Sequence, residues 1–162
     1  MKSLLVINSS AAREGSVSRT LVEETVERLR EANPFVNVVR RDLGQHPVPH
    51  LSIDTLNGVR GTPATLAEQE ARKLSDELIA ELRAADTIVI GAPMYNFGVT
   101  TGLRGWFDYV LRAGETFSYS ASTCSRVGCA GISMPKRRRH SRALSTPFGF
   151  SDFMTCRSIL RR

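Results

Sequence analysis

Residues 8–18 gather Ser9, Ser10, Gly15, Ser16 and Ser18 directly ahead of a stretch with helical periodicity. That combination suits a phosphate monoester. Such a group needs many short-range donors, and free N–H groups at a helix N-terminus supply them together with serine hydroxyls. The same serines could serve only as helix caps, and residue types alone leave both readings open. No GxGxxG and no Walker lysine is present, which argues against a dinucleotide or nucleoside-triphosphate site.

A second segment, Ala92-Pro93-Met94-Tyr95-Asn96-Phe97-Gly98, sets an amide between two aromatic rings. An isoalloxazine ring asks for an apolar or aromatic wall and for amide groups that match its polar edge. Tyr95, Asn96 and Phe97 offer that chemistry; the alternative is a turn whose aromatics are buried. Taken with the serine loop, the segment points to flavin mononucleotide. His46 and His50 lie in a Pro-rich loop and read as solvent-exposed rather than as metal ligands.

The elements around these segments follow from hydrophobic pattern. Leu4-Leu5-Val6-Ile7 is a continuous apolar run, as expected for a strand covered on both faces. Leu21, Val22, Val26 and Leu29 mark one face of a helix ending near Asn33-Pro34. Val36, Val38 and Val39 make a second strand. Thr65-Leu66-Ala67-Glu68 is a capping box opening a helix with apolar Leu66, Ala67, Leu74, Leu78 and Leu82. Thr87-Ile88-Val89-Ile90 is a third apolar strand, and Phe107, Val110 and Leu111 mark a further helix. This β-α-β-α-β-α alternation predicts an α/β fold with an open parallel sheet in strand order 2-1-3. In such sheets ligands bind beyond the carboxyl ends of the strands, where both chemistry-bearing segments begin.

The chain of 162 residues fits one domain with a sizeable core. No apolar run is long enough for a transmembrane helix, and the short apolar start lacks a signal-peptide cleavage pattern, so a cytoplasmic protein without a membrane partner is expected. Charge is unevenly spread. Residues 1–120 hold 13 Lys+Arg and 15 Asp+Glu, whereas Arg126, Lys136, Arg137, Arg138, Arg139, Arg142, Arg157, Arg161 and Arg162 face one acid, Asp152, beyond them. The formal +6 of the whole therefore belongs to the last quarter. Cys124, Cys129 and Cys156 form neither a disulfide framework nor a zinc pattern.

Pro93-Met94-Tyr95-Asn96-Phe97 is followed by Leu103-Arg104-Gly105-Trp106-Phe107-Asp108-Tyr109-Val110-Leu111-Arg112-Ala113-Gly114-Glu115-Thr116-Phe117-Ser118-Tyr119. Together they resemble the FMN-dependent NADH azoreductases, flavodoxin-like NADH:quinone oxidoreductases. The Ser9-Ser10 loop, Ser16-Val17-Ser18-Arg19 and the helix around Leu74 to Leu82 match the same family, so the resemblance covers residues 1–121. It implies a flavodoxin-like doubly wound sheet and a tightly bound FMN. Ser10, Ser16, Val17 and Ser18 would hold the phosphate and ribityl end, and Met94, Tyr95, Asn96 and Phe97 the flavin ring. Phe117 and Tyr119 would wall the substrate pocket. No side chain is implied as an obligatory acid or base, and no metal. NADH would be co-substrate, with quinones and azo compounds reduced in a ping-pong hydride transfer through flavin N5. A homodimer is also implied.

Beyond residue 121 the resemblance stops. Strands four and five of the family's sheet are not legible, and residues 122–162 read as an aberrant basic tail, disordered and frameshifted. Regrouping codons across residues 148–160 permits a Leu-Gly-Phe followed by Asp-Val, similar to the family's lead into strand five. A natural tail whose residues 136–139 bind phosphate is the other reading. Two further function classes stand beside the reductase: a truncated, non-catalytic relic, and a flavodoxin-like module carrying a nucleic-acid-binding tail. Nucleic acid is not the favoured partner.

Overall fold

The computed structural model describes residues 1–119 and 132–133. Expectations for the basic tail lie outside the described residues, apart from the short strand at Ile132–Ser133. The described chain divides into two compact units, one of residues 1–49 and 81–106, the other of residues 50–80 and 107–119 with 132–133.

The first unit holds a three-stranded parallel sheet. Strand β1 (Ser3–Asn8) is central, flanked by β2 (Asn37–Asp42) and β3 (Thr87–Gly91), giving the expected order 2-1-3. In register, Asn8 stands opposite Asp42 on one side and Gly91 on the other. Three strands thus finish at one level, and their following loops leave from one edge.

Helix α1 (Val17–Ala32) buries Ser18, Val22 and Val26, with Leu29 half-buried. Those positions step by three or four residues and form one stripe. They close a core with Leu4, Val6 and Val36, against which Val38 and Val89 also pack. Leu21, expected on this face, is exposed because it sits about 100° around the helix from Val22. Val36 precedes β2 rather than belonging to it, and Val39 points outward by strand alternation. Strand β1 is buried as its apolar run predicts. Residues 87–90 of β3 are only half-buried, against the expectation of a strand covered on both faces, and among the described residues β3 pairs with β1 alone.

The turn into β3 is tied to the start of β1. Asp86 accepts backbone N–H bonds from Lys2 at 2.7 Å and Ser3 at 3.1 Å, and the Ser3 hydroxyl donates to the Ala84 carbonyl at 2.6 Å. Both backbone donors favour the ionised carboxylate, so the Asp86 carboxyl is held below its usual range.

The second unit contains α2 (Leu56–Arg60) and most of α3 (Leu66–Ala84). The predicted capping box is formed. Glu68 N–H donates to the Thr65 hydroxyl at 3.3 Å, while the Glu68 carboxylate accepts from Thr65 N–H at 2.9 Å and Ala64 N–H at 2.7 Å. The buried face of α3 is Glu68, Ala71, Ser75, Leu78 and Ile79. Of the five apolar positions expected, only Leu78 lies on it; Leu66 is exposed. Polar Glu68 and Ser75 are buried because each has backbone work: Glu68 caps, and the Ser75 hydroxyl donates to the Tyr109 carbonyl at 2.8 Å.

Helix α4 (Thr101–Val110) buries Leu103, Trp106, Tyr109 and Val110. Leu111 falls outside it and is exposed, so Phe107, Val110 and Leu111 marked the right helix with partly the wrong face. After it, β6 (Ser118–Tyr119) pairs antiparallel with β7 (Ile132–Ser133).

Candidate functional site

Both chemistry-bearing segments leave the same edge of the sheet, and Ser9 stitches them together. Its N–H donates to the Gly91 carbonyl at 3.1 Å and its buried hydroxyl donates to the same oxygen at 2.8 Å. The loop after β1 is therefore anchored to the end of β3, from which the second segment departs.

In the first loop Ser16 occupies the N-cap of α1, yet its side chain makes no cap bond. Its hydroxyl instead donates to the Ser10 hydroxyl at 2.9 Å and lies 3.1 Å from the Ser18 hydroxyl. Plain capping, left open by the sequence, is thus not what Ser16 does. Three hydroxyls meet at the start of a helix whose Val17 and Ser18 N–H groups are beyond the reach of intrahelical acceptors. The helix dipole adds partial positive charge there. Ser10 and Ser18 are buried, Ser16 is half-buried and Val17 is exposed. Such a cluster of neutral donors fits a phosphate.

The second segment forms a β-hairpin. Strands β4 (Met94–Tyr95) and β5 (Gly98–Val99) pair antiparallel around Asn96 and Phe97. Both turn residues have positive φ, 47° and 60°, as a two-residue type I′ turn requires. Asn tolerates that region; a bulky Phe there is an outlier of the kind that collects at ligand clamps. Phe97 is 99 % exposed, Met94 49 % and Tyr95 42 %. Buried aromatics, the alternative reading, are excluded. These side chains are held out on a tight turn, available to cover a flat ring.

Sequence reasoning missed the brace behind the first loop. Arg19 Nε donates to the Ala12 carbonyl at 2.9 Å and Nη2 to the Ser10 carbonyl at 2.9 Å. The same guanidinium grips Asp42 through Nη1 at 2.6 Å and Nη2 at 2.9 Å. Asp42 in turn accepts N–H bonds from Gly44 and Gln45. A signal was present: a cation in the first helical turn opposes the macrodipole and so needs a partner. An acid ending the neighbouring strand supplies it. Hydrogen bonds from Arg19 hold the Asp42 carboxyl below its usual range, helped by Gln45 and Gly44 N–H and opposed by burial. Arg19 is raised, chiefly by its bond to Asp42, and Tyr95 of the hairpin acts on it in the same direction.

The sign of the pH effect follows. Because the folded carboxyl titrates below its ordinary value of about 3.9, the brace contributes fully above roughly pH 5 and is lost progressively as pH falls through the ordinary and then the folded value. Wild-type and Asp42→Asn proteins should therefore differ in Tm by a constant amount from neutral pH down to about 5, then converge. A difference that persists unchanged into stronger acid would refute this.

Phe117 and Tyr119 belong to the second unit. Phe117 is half-buried and its carbonyl accepts the Gly114 N–H at 2.8 Å; Tyr119 lies in β6 opposite Ile132. Arg112 braces that segment, donating to the Ser75 hydroxyl at 3.0 Å and pairing with Asp76 at 2.6 Å. His46 and His50 are exposed, as expected. No helix among the described residues is long and apolar enough to cross a membrane.

Comparison with known proteins agrees with this layout. The FMN-dependent NADH:quinone oxidoreductase of Hyphomonas neptunium is 63% identical over 120 residues, 74% of this chain and 58% of that protein. That of Azotobacter vinelandii is 48% identical over 122 residues, 74% of this chain and 61% of its own length. Among solved structures, an azoreductase from Bacillus anthracis superposes with a TM-score of 0.68 at 30% identity, covering 75% of this chain and 61% of that one. An FMN-dependent NADH-azoreductase from the same species, in complex with FMN, gives 0.66 at 25% identity, again over 75% of this chain and 61% of that chain. The chain spans about three-fifths of the length of these curated relatives. A family model described as a flavodoxin-like fold matches residues 2–134. With the 2-1-3 parallel sheet and that match in hand, the chain belongs to the flavodoxin-like fold family.

Proposed function

We propose that residues 1–121 are the FMN-binding part of an NADH:quinone oxidoreductase that also reduces azo compounds. The observation that carries this is the uncapped serine cluster of Ser10, Ser16 and Ser18, stitched by Ser9 to a strained hairpin with exposed aromatics. Relatives named for FMN, NADH, quinone and azo chemistry support it.

In this reading Ser10, Ser16 and Ser18 hydroxyls and the Val17 and Ser18 N–H groups hold the FMN phosphate and ribityl end. Met94, Tyr95, Asn96 and Phe97 hold and cover the ring. FMN, when bound, would supply reversible two-electron chemistry between NADH and a quinone or azo compound in alternate half-reactions. The protein's share is placement: neutral donors fix the phosphate, and the hairpin excludes water from one face of the ring. No side chain here is assigned as a proton donor. The working form is a homodimer, which sedimentation of the flavin-loaded protein checks.

The test is direct. Protein incubated with FMN and freed of excess should keep a flavin absorption band and oxidise NADH when a quinone is added. Asn96→Ala should weaken FMN about tenfold, as expected for one lost hydrogen bond to a buried polar edge, whereas Arg72→Ala should not. Equal FMN affinity in the two variants would remove the site assignment.

A further inference from the structure

We propose that Arg19 and Asp42 act as a charge-neutral clamp that shapes the phosphate loop, so that phosphate is read by neutral donors and not by a cation. This rests on the reading of residues 10–18 as the FMN phosphate site. Arg19 is then a positioning residue.

An arginine three residues past a phosphate-binding cap invites the opposite reading, a counter-charge for the phosphate. The geometry points away from it. Of the five N–H donors on a guanidinium, Arg19 commits one to Ala12, two to Ser10 and Asp42 through Nη2, and one to Asp42 through Nη1. Its charge is met by a bidentate carboxylate, the arrangement in which such pairs are strongest. Both partners are mostly covered, with 17% and 22% of their side-chain surfaces exposed. What Arg19 holds is backbone: two carbonyls of the loop, on either side of Ala11. With Ser10 fixed in this way, its hydroxyl is held 2.9 Å from that of Ser16, within the three-serine cluster.

Gly44 presses the same point from the other side. A Cβ there would lie 2.1 Å from the Ser10 carbonyl oxygen and 3.0 Å from Arg19 Nη2. The Ser10 carbonyl is thus enclosed between Arg19 and the turn after β2, and Asp42 organises both: it binds Arg19 and accepts the N–H bonds of that turn. A second ion pair between α1 and β2 provides a built-in control. Arg40 and Glu23 pair at 2.6 Å but are each 45% exposed and touch no loop carbonyl.

The experiment compares Arg19→Met, Asp42→Asn and Arg40→Met. Dissociation constants are measured for FMN and for riboflavin, which lacks the phosphate, and amide hydrogen exchange is followed over residues 10–16 without ligand. Arg19→Met and Asp42→Asn should each weaken FMN by about tenfold, leave riboflavin within about twofold, and speed exchange of the loop amides. Arg40→Met should do none of these. Tighter FMN binding in Asp42→Asn would overturn the proposal, since baring the guanidinium would then help the phosphate. Equal weakening of FMN and riboflavin would reduce Arg19 to general stability and also overturn it. If wild-type protein binds neither flavin, the cofactor reading fails, and the exchange data still decide the clamp: unchanged loop exchange in Arg19→Met refutes it.

Discussion

Gly44→Ala should destabilise the protein by about 3 kcal/mol, at the upper end for overpacking, and abolish measurable FMN retention. One methyl group causes this because of what it meets. The nearest atom to a Cβ at Gly44 is the Ser10 backbone oxygen at 2.1 Å, where no side chain can rotate away. Relief needs either the Ser10 carbonyl or the turn after β2 to shift. The first is held by Arg19 Nη2, the second by Asp42 and by the Leu43 N–H bond to the Asn8 carbonyl at 2.7 Å. Each escape breaks bonds that shape the serine cluster, so stability and phosphate binding fall together. Gly61→Ala is the comparison: its Cβ would meet nothing nearer than 3.4 Å. Urea unfolding of both variants gives the result; a Gly44→Ala midpoint equal to wild type would show that the loop yields freely.

How far sequence alone reached depended on what kind of force set each feature. Strand order and the shared edge of the two loops were legible because continuous apolar runs and βαβ connection rules leave few topologies. The capping box was legible because it is local, four residues reading one another. Helix faces were less so. Leu66 and Leu21 looked like core and are exposed, while Ser75 and Glu68 looked polar and are buried. In both buried cases a specific backbone partner offsets the cost of burial, and that partner is not visible in periodicity. For the candidate site, the serines and the aromatic segment could be proposed from chemistry. The hairpin could not, because Asn-Phe is a poor type I′ pair and local preference argues against it. The Arg19–Asp42 clamp joins residues 23 positions apart and depends on tertiary placement. Only the unfavourable cation in the first turn of α1 hinted at it.

Phe97→Gly should separate folding from binding, with effects of opposite sign. The turn of the hairpin holds Phe97 at φ 60°, where a side chain with a Cβ costs about 1–2 kcal/mol relative to an ordinary conformation. No burial repays this, since Phe97 is 99 % exposed. Glycine removes the strain and is the residue a type I′ turn prefers at that position, although its freedom in the unfolded chain offsets part of the gain. The net expectation is a protein as stable as wild type or up to about 1 kcal/mol more stable. Flavin affinity should move the other way, by about tenfold, because an aromatic contact worth roughly 0.5–1.5 kcal/mol beyond its area is removed. Phe97→Ala completes the set: it keeps the strained φ and loses the ring, so it should bind flavin as poorly as Phe97→Gly without the stability gain. Thermal melts and flavin titrations on the three proteins test both halves. Should Phe97→Gly bind FMN like wild type, the exposed ring is not a flavin wall. Should it instead melt well below wild type, the turn is held by contacts of Phe97 rather than strained by it.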